Sequence, residues 1–227
     1  MLKELFSIFK GDAPLQEASQ DFTAMLNLAL EMVQESSVSY WQQVQTPEQR
    51  TALYAKDVRV NKLERIIRKS VVAQLTGPNP TDVPFGLLMM SLVKDIERLG
   101  DYAKNLADVP TFAREPFPDD ALVKELREIS RTVESIAGQA GTAFENSDAE
   151  TARELTVEGR SLAKRCDELV RNIARSDYTA ALAVQLTLGA RFYKRFDAHM
   201  LNLLSGVIMP LHKLDYFDEK LLDRSFE

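Results

Sequence analysis

Apolar residues recur three and four positions apart along nearly the whole chain, and no stretch alternates as a half-buried strand would. The pattern predicts helices near 15–45, 47–76, 84–108, 119–145, 148–175 and 178–209. The punctuation between them is explicit. Thr46-Pro47-Glu48 reads as an N-cap, a proline in the first turn and an early acid. Gly77-Pro78-Asn79-Pro80-Thr81-Asp82-Val83-Pro84 is excluded from a helix interior, since proline lacks the amide donor and clashes with the preceding turn. Pro110 to Asp120, with Pro116 and Pro118, is the longest break and the natural midpoint. Asn146-Ser147-Asp148 and Ser176-Asp177 are short caps, and Pro210 ends the last long helix.

Three helices, a linker and three more helices imply an internal duplication. Arg98 and Asn105 recur, each 97 positions later, as Arg195 and Asn202. The second helices align at a shift of 102, which sets Val60 on Leu162, Ile67 on Leu169 and Val71 on Ile173. The longer proline-rich loop of the first half absorbs the difference. The expected architecture is all-α: tandem three-helix bundles, with repeats over 1–109 and 119–227.

Composition narrows the function. The 227 residues are 45% hydrophobic and 27% charged, with a formal charge of −6 and no tract of one sign. That balance argues against a nucleic-acid binder, which needs a basic footprint. The single cysteine, Cys166, excludes an intrachain disulfide and a thiolate cluster and fits a reducing cytoplasm. It falls near the apolar stripe of the fifth helix and reads as a small core residue. No run reaches the length of a membrane span. Met1 to Lys10 is not a secretory signal, but Leu2, Leu5, Phe6 and Phe9 share one face, which permits a peripheral membrane or transporter contact through residues 1–10. Packing of that turn on its own bundle is the plainer reading.

On a helical wheel, Leu88, Leu92, Ile96, Leu99, Ala103 and Leu106 form the buried stripe of the third helix. Glu97, Asp101, Asn105 and Asp108 fall opposite, on an expected outer face. In the second helix Leu53, Val60, Leu63, Ile67 and Val71 form the stripe, with Asp57, Asn61 and Glu64 on one flank. Asp57 with Asn61, and Glu97 with Asp101, are donor pairs at i, i+4 spacing. Oxygen-only sets of this kind suit hard or borderline cations. A solvated face compensated by Lys94 and Lys104 explains the same spacing. Catalysis has no candidate residues: there is no phosphate loop, no Ser/His/Asp set, and no Glu three residues before His199 or His212. Tyr40 and Trp41 read as a cap on the bundle.

The run Asp95-Ile96-Glu97-Arg98-Leu99-Gly100-Asp101-Tyr102-Ala103-Lys104-Asn105-Leu106 resembles the PhoU family of phosphate-uptake regulators. The likeness is sharpest from Leu92 to Ala107, recognisable from Asp57 to Glu64, and extends over the two-by-three helix plan. It implies a regulator of phosphate transport that binds a phosphate transporter or its associated sensor kinase, forms a homodimer and holds metal on paired acids. Glu97 and Asp101 match the strong motif, Asp57 the first acid of the weaker one. Asn61 takes its second place, and Glu64 stands in reserve. Iron, manganese, zinc or another divalent metal is the implied cofactor. The second repeat departs from this pattern, with Lys194 for Glu97, Ala198 for Asp101, Gly159 for Asp57, Ala163 for Asn61 and Cys166 for Glu64. Any metal is therefore expected on the first repeat, unless the register of the second slips to use Asp197 and Asp167. The alternatives are a metal-free helical adaptor and a membrane-transporter accessory protein, neither with a phosphate role.

Overall fold

A computed structural model describes residues 13–77 and 83–215. Six long helices carry the described chain: α1 (Ala13–Gln42), α2 (Pro47–Leu75), α3 (Val83–Asp108), α4 (Ala121–Glu145), α5 (Ala149–Ile173) and α6 (Ala180–Ile208). Short 3-10 turns follow at Val109–Phe112 and Leu211–Lys213. No strand occurs among the described residues. The all-α expectation stands. The amphipathic stretch at residues 1–10 lies outside the described residues.

Local chemistry sets the helix starts. Thr46 and Gln49 form a reciprocal capping box at α2, with Pro47 in its first turn. Asp120 caps α4 by accepting from the amides of Leu122 and Val123, both at 3.0 Å. Asp148 and Thr179 do the same for α5 and α6. These caps begin α4, α5 and α6 slightly later than the apolar periodicity alone suggests. The first helix stops at Gln42 because Gln43 turns to a positive φ of 52°, short of the expected end at 45.

Helices α1, α2 and α3 pack on one another, as do α4, α5 and α6, and the two groups join through α3 against α6 and α1 against α4. The core is continuous across that junction. Tyr40 anchors one part of it. Its ring meets those of Trp41, Phe117 and Tyr193 at 5.1, 5.4 and 6.0 Å. Its hydroxyl donates to the Gln185 carbonyl, and Gly189 leaves room for it where a Cβ would collide. The expected cap is thus a buried aromatic joint between the two halves. Helix α3 touches α1, α2 and α6 and is buried on most sides, so its polar residues fall into seams between helices. Helices α2 and α5 are the outer elements of their groups.

Candidate functional site

The seam between α2 and α3 collects the acids singled out by their spacing. Asp57 is buried, at 7% exposure, in line with Leu53 and Val60. Glu97 and Asp101 are not on an open outer face as the helical wheel suggested. Their side chains are 18% and 28% exposed, because α2 covers that side of α3. The Lys104 ammonium sits between the two helices, 2.9 Å from Asp57 Oδ2 and 3.1 Å from Asp101 Oδ1. It also lies 5.9 Å from the centre of the Tyr54 ring. Burial works against its charge, but the bonds to both carboxylates outweigh that and raise its pKa.

The remaining donors are engaged as well. Asn61 donates to Asp57 Oδ2 at 3.2 Å, and Glu64 pairs with Arg68 at 2.8 Å. Arg98 reaches Asp101 Oδ2 at 2.9 Å and Glu97 at 3.5 Å. Glu97 is the strained member. Desolvation and the neighbouring Asp101 charge push its pKa up to about 7, against the opposing pull of Arg98. The five expected donors thus line one seam: Asp57 and Asp101 share Lys104, Asn61 bonds Asp57, Glu64 pairs with Arg68 and Glu97 lies by Arg98. Among the described residues no three acids, histidines or cysteines converge as a metal would require.

The second repeat has rebuilt the same seam. Asp57 is replaced by Gly159, and Gly100 by Asp197, so the acid has moved from the second helix of the repeat to the third. The Asp197 carboxyl lies against Gly159, where any Cβ would collide with it. Asp197 is 1% exposed, and its Oδ1 has no hydrogen-bond partner among the described residues. Desolvation, with Glu158 nearby, raises its pKa to about 7. Lys194, which replaces Glu97, pairs with Asp167 at 2.6 Å. Cys166 is buried, and burial pushes its thiol up to about 12, which makes it an unreactive core residue.

A polar cluster between the halves escaped the spacing argument. Asp95, buried on α3, accepts from Asn202 Nδ2 at 2.9 Å and Lys94 at 3.1 Å, and lies 2.8 Å from His199 Nδ1. Burial opposes its charge, but the bonds from His199 and Asn202 hold its pKa below the usual carboxylate value. The His199 ring stacks on Tyr102 at 5.6 Å, which is its counterpart under the 97-residue shift. Sequence periodicity gives no sign of which acid faces a partner helix from the other half. The alignment of Tyr102 with His199 was the one available signal.

Fold and site together define a duplicated three-helix bundle with one charged seam per repeat. Residues 22–109 match the family model described as the PhoU domain. Over the whole fold, the crystal structure of PhoU from Pseudomonas aeruginosa aligns with a TM-score of 0.76 and 20% identity. The alignment covers 86% of this chain and 95% of that one. The phosphate transport system regulatory protein PhoU from Streptococcus pneumoniae aligns at 0.73 and 19%, over 85% and 92%. Comparison with curated protein sequences gives no match.

Proposed function

We propose that this protein regulates phosphate transport by docking on a phosphate transporter or on the sensor kinase associated with it. The observation that carries this reading is the PhoU domain at 22–109 within a fold that solved PhoU structures share almost end to end. In this reading the protein acts in the cytoplasm as a homodimer and binds other proteins without catalysing a reaction. No described helix is long and apolar enough to cross a membrane. The test is co-purification of the tagged full chain from membranes of phosphate-replete cells. Recovery of a phosphate transporter subunit or a sensor kinase supports the reading, and recovery of neither opposes it.

For the acidic seam we propose that Lys104 serves as its resident cation. Each of Asp57, Asp101 and Glu64 is already matched to an ammonium or guanidinium, and Glu97 is relieved by its proton and Arg98. As arranged, the donors fit that ammonium and not a divalent ion with four to six ligands. Iron, manganese or zinc enters this seam only by displacing Lys104 and Arg98. Elemental analysis of the purified protein, beside Glu97→Ala/Asp101→Ala, tests this. Stoichiometric metal lost in the variant would contradict the lysine reading, and absence of metal from both would support it.

A further inference from the structure

The outward face of α2 carries a feature that the regulatory reading does not use. From Thr51 to Ala73 every exposed charged side chain on this helix is basic: Arg59, Lys62, Arg65, Arg68 and Lys69. Of the acids in the same stretch, Asp57 is buried against Lys104, and Glu64, largely covered, pairs with Arg68 on its own helix. Lys56 is matched by Glu31 and Glu35 of α1. Among the described residues, Arg59, Lys62, Arg65 and Lys69 make no ion pair. Lys62, Arg65 and Lys69 lie on one stripe at helical spacing, bounded by Val58 and Val72, which are 65% and 50% exposed. Ile66 is exposed on its flank. The stripe runs about 21 Å at the helical rise per residue.

The duplication supplies an internal control. In the second repeat, Arg59 is replaced by Ser161 and Arg65 by Asp167, while Lys62 and Lys69 become Lys164 and Arg171. Exposed Glu154, Glu158 and Glu168 balance Arg153, Lys164 and Arg171 along α5. The bundle therefore does not require a cationic outer helix. It occurs on one repeat of a chain whose formal charge is −6, so the rest of the molecule would be repelled by any anionic surface.

We infer that the outward face of α2 docks on an anionic lipid surface. The chemistry favours lipid over an acidic protein. The stripe offers cations and β-branched aliphatics and no side-chain acceptors, so it supplies charge and shallow apolar contact without a fixed hydrogen-bond register. A lipid leaflet gathers anionic headgroups under such cations without needing register, and each cation contributes about a fivefold gain in partitioning. The aliphatic side chains reach the boundary between headgroups and acyl chains. Such a contact is weak, reversible and sensitive to salt, and does not depend on which transporter or kinase the protein serves.

The test is co-sedimentation of the full chain with large vesicles of equimolar phosphatidylglycerol and phosphatidylcholine, against phosphatidylcholine alone. Binding is expected to the anionic vesicles at about 0.05 M NaCl and to vanish at about 0.5 M. The variant Lys62→Gln/Arg65→Gln/Lys69→Gln should lose about 100-fold in partitioning. The corresponding change on α5, Lys164→Gln/Arg171→Gln, should leave it unchanged, with circular dichroism showing both variants folded. No binding of the wild-type chain at low salt would overturn the inference and leave an acidic protein as the occupant. Undiminished binding of the triple variant would overturn it in favour of another segment.

Discussion

At the scale of single residues, the two repeats answer one problem in different ways: a carboxylate in the seam between the second and third helices. In the first repeat Asp57 has Lys104 at 2.9 Å. Breaking a pair this poorly exposed strands a charge, so Lys104→Met should cost about 2–4 kcal/mol in denaturant unfolding. Adding Asp57→Leu should recover most of that loss, since it removes the stranded charge. In the second repeat Asp197 has no such partner, and its pKa stands near 7. An acid with a raised folded-state pKa binds its proton more tightly when folded than when unfolded. Its contribution is full below about pH 4, declines as pH rises and levels off above about pH 7. The total loss is roughly 4 kcal/mol at most. Asp197→Asn should remove that slope: the variant should gain on wild type between pH 4 and 7 in urea titrations. A difference independent of pH would show that folding does not raise the Asp197 pKa. Spacing alone revealed Glu97 and Asp101. It reached Asp197 only as a ligand in a slipped register and not as a buried acid, because a lone acid beside an apolar stripe looks like a solvated flank until the facing glycine, Gly159, is seen.

At the scale of the element, capping decides where the helices begin, and it was largely legible. Thr46-Pro47 announced α2 before any packing was known, since a capping box is a local motif. Asp120 does more than its position suggests. Besides capping α4, it accepts from the Tyr178 hydroxyl at 2.5 Å, which ties the start of α4 to the approach of α6. Asp120→Ala should therefore cost about 1–2 kcal/mol, at the upper end for a cap, and Tyr178→Phe, which deletes the same hydrogen bond, should by itself lose part of that amount. Chemical denaturation of the two single variants and the double variant would check the coupling. The wheel for α3 failed for a reason belonging to this scale. A wheel assumes one buried face, but α3 packs on α1, α2 and α6, so its nominal outer side lies in the α2 seam. That is why Glu97 carries a raised pKa, which a solvated face would not produce.

At the scale of the molecule, the two-by-three plan followed from proline-rich breaks and from two shifts, 97 and 102, because duplication preserves core spacing while surfaces drift. The join between the halves was not legible, because residues that meet across it are about 100 apart and obey no local period. Asp95 with His199 and Asn202 belongs to that join. Asp95→Ala should loosen it, and hydrogen exchange should show faster opening of both α3 and α6 while α2 is spared. The surface divides by repeat: a cationic α2 on one side, a charge-balanced α5 on the other. If the proposed transporter contact and the inferred lipid contact both hold, this asymmetry fixes which side of the bundle approaches the membrane. The proposed role in regulating phosphate transport, taken as restraint of uptake when phosphate is ample, is tested most directly by phosphate uptake in cells deleted for the gene and grown with ample phosphate. The account predicts that uptake rises above wild type and returns to normal when the intact chain is restored. Uptake unchanged by the deletion, with the transporter present and active, would contradict it.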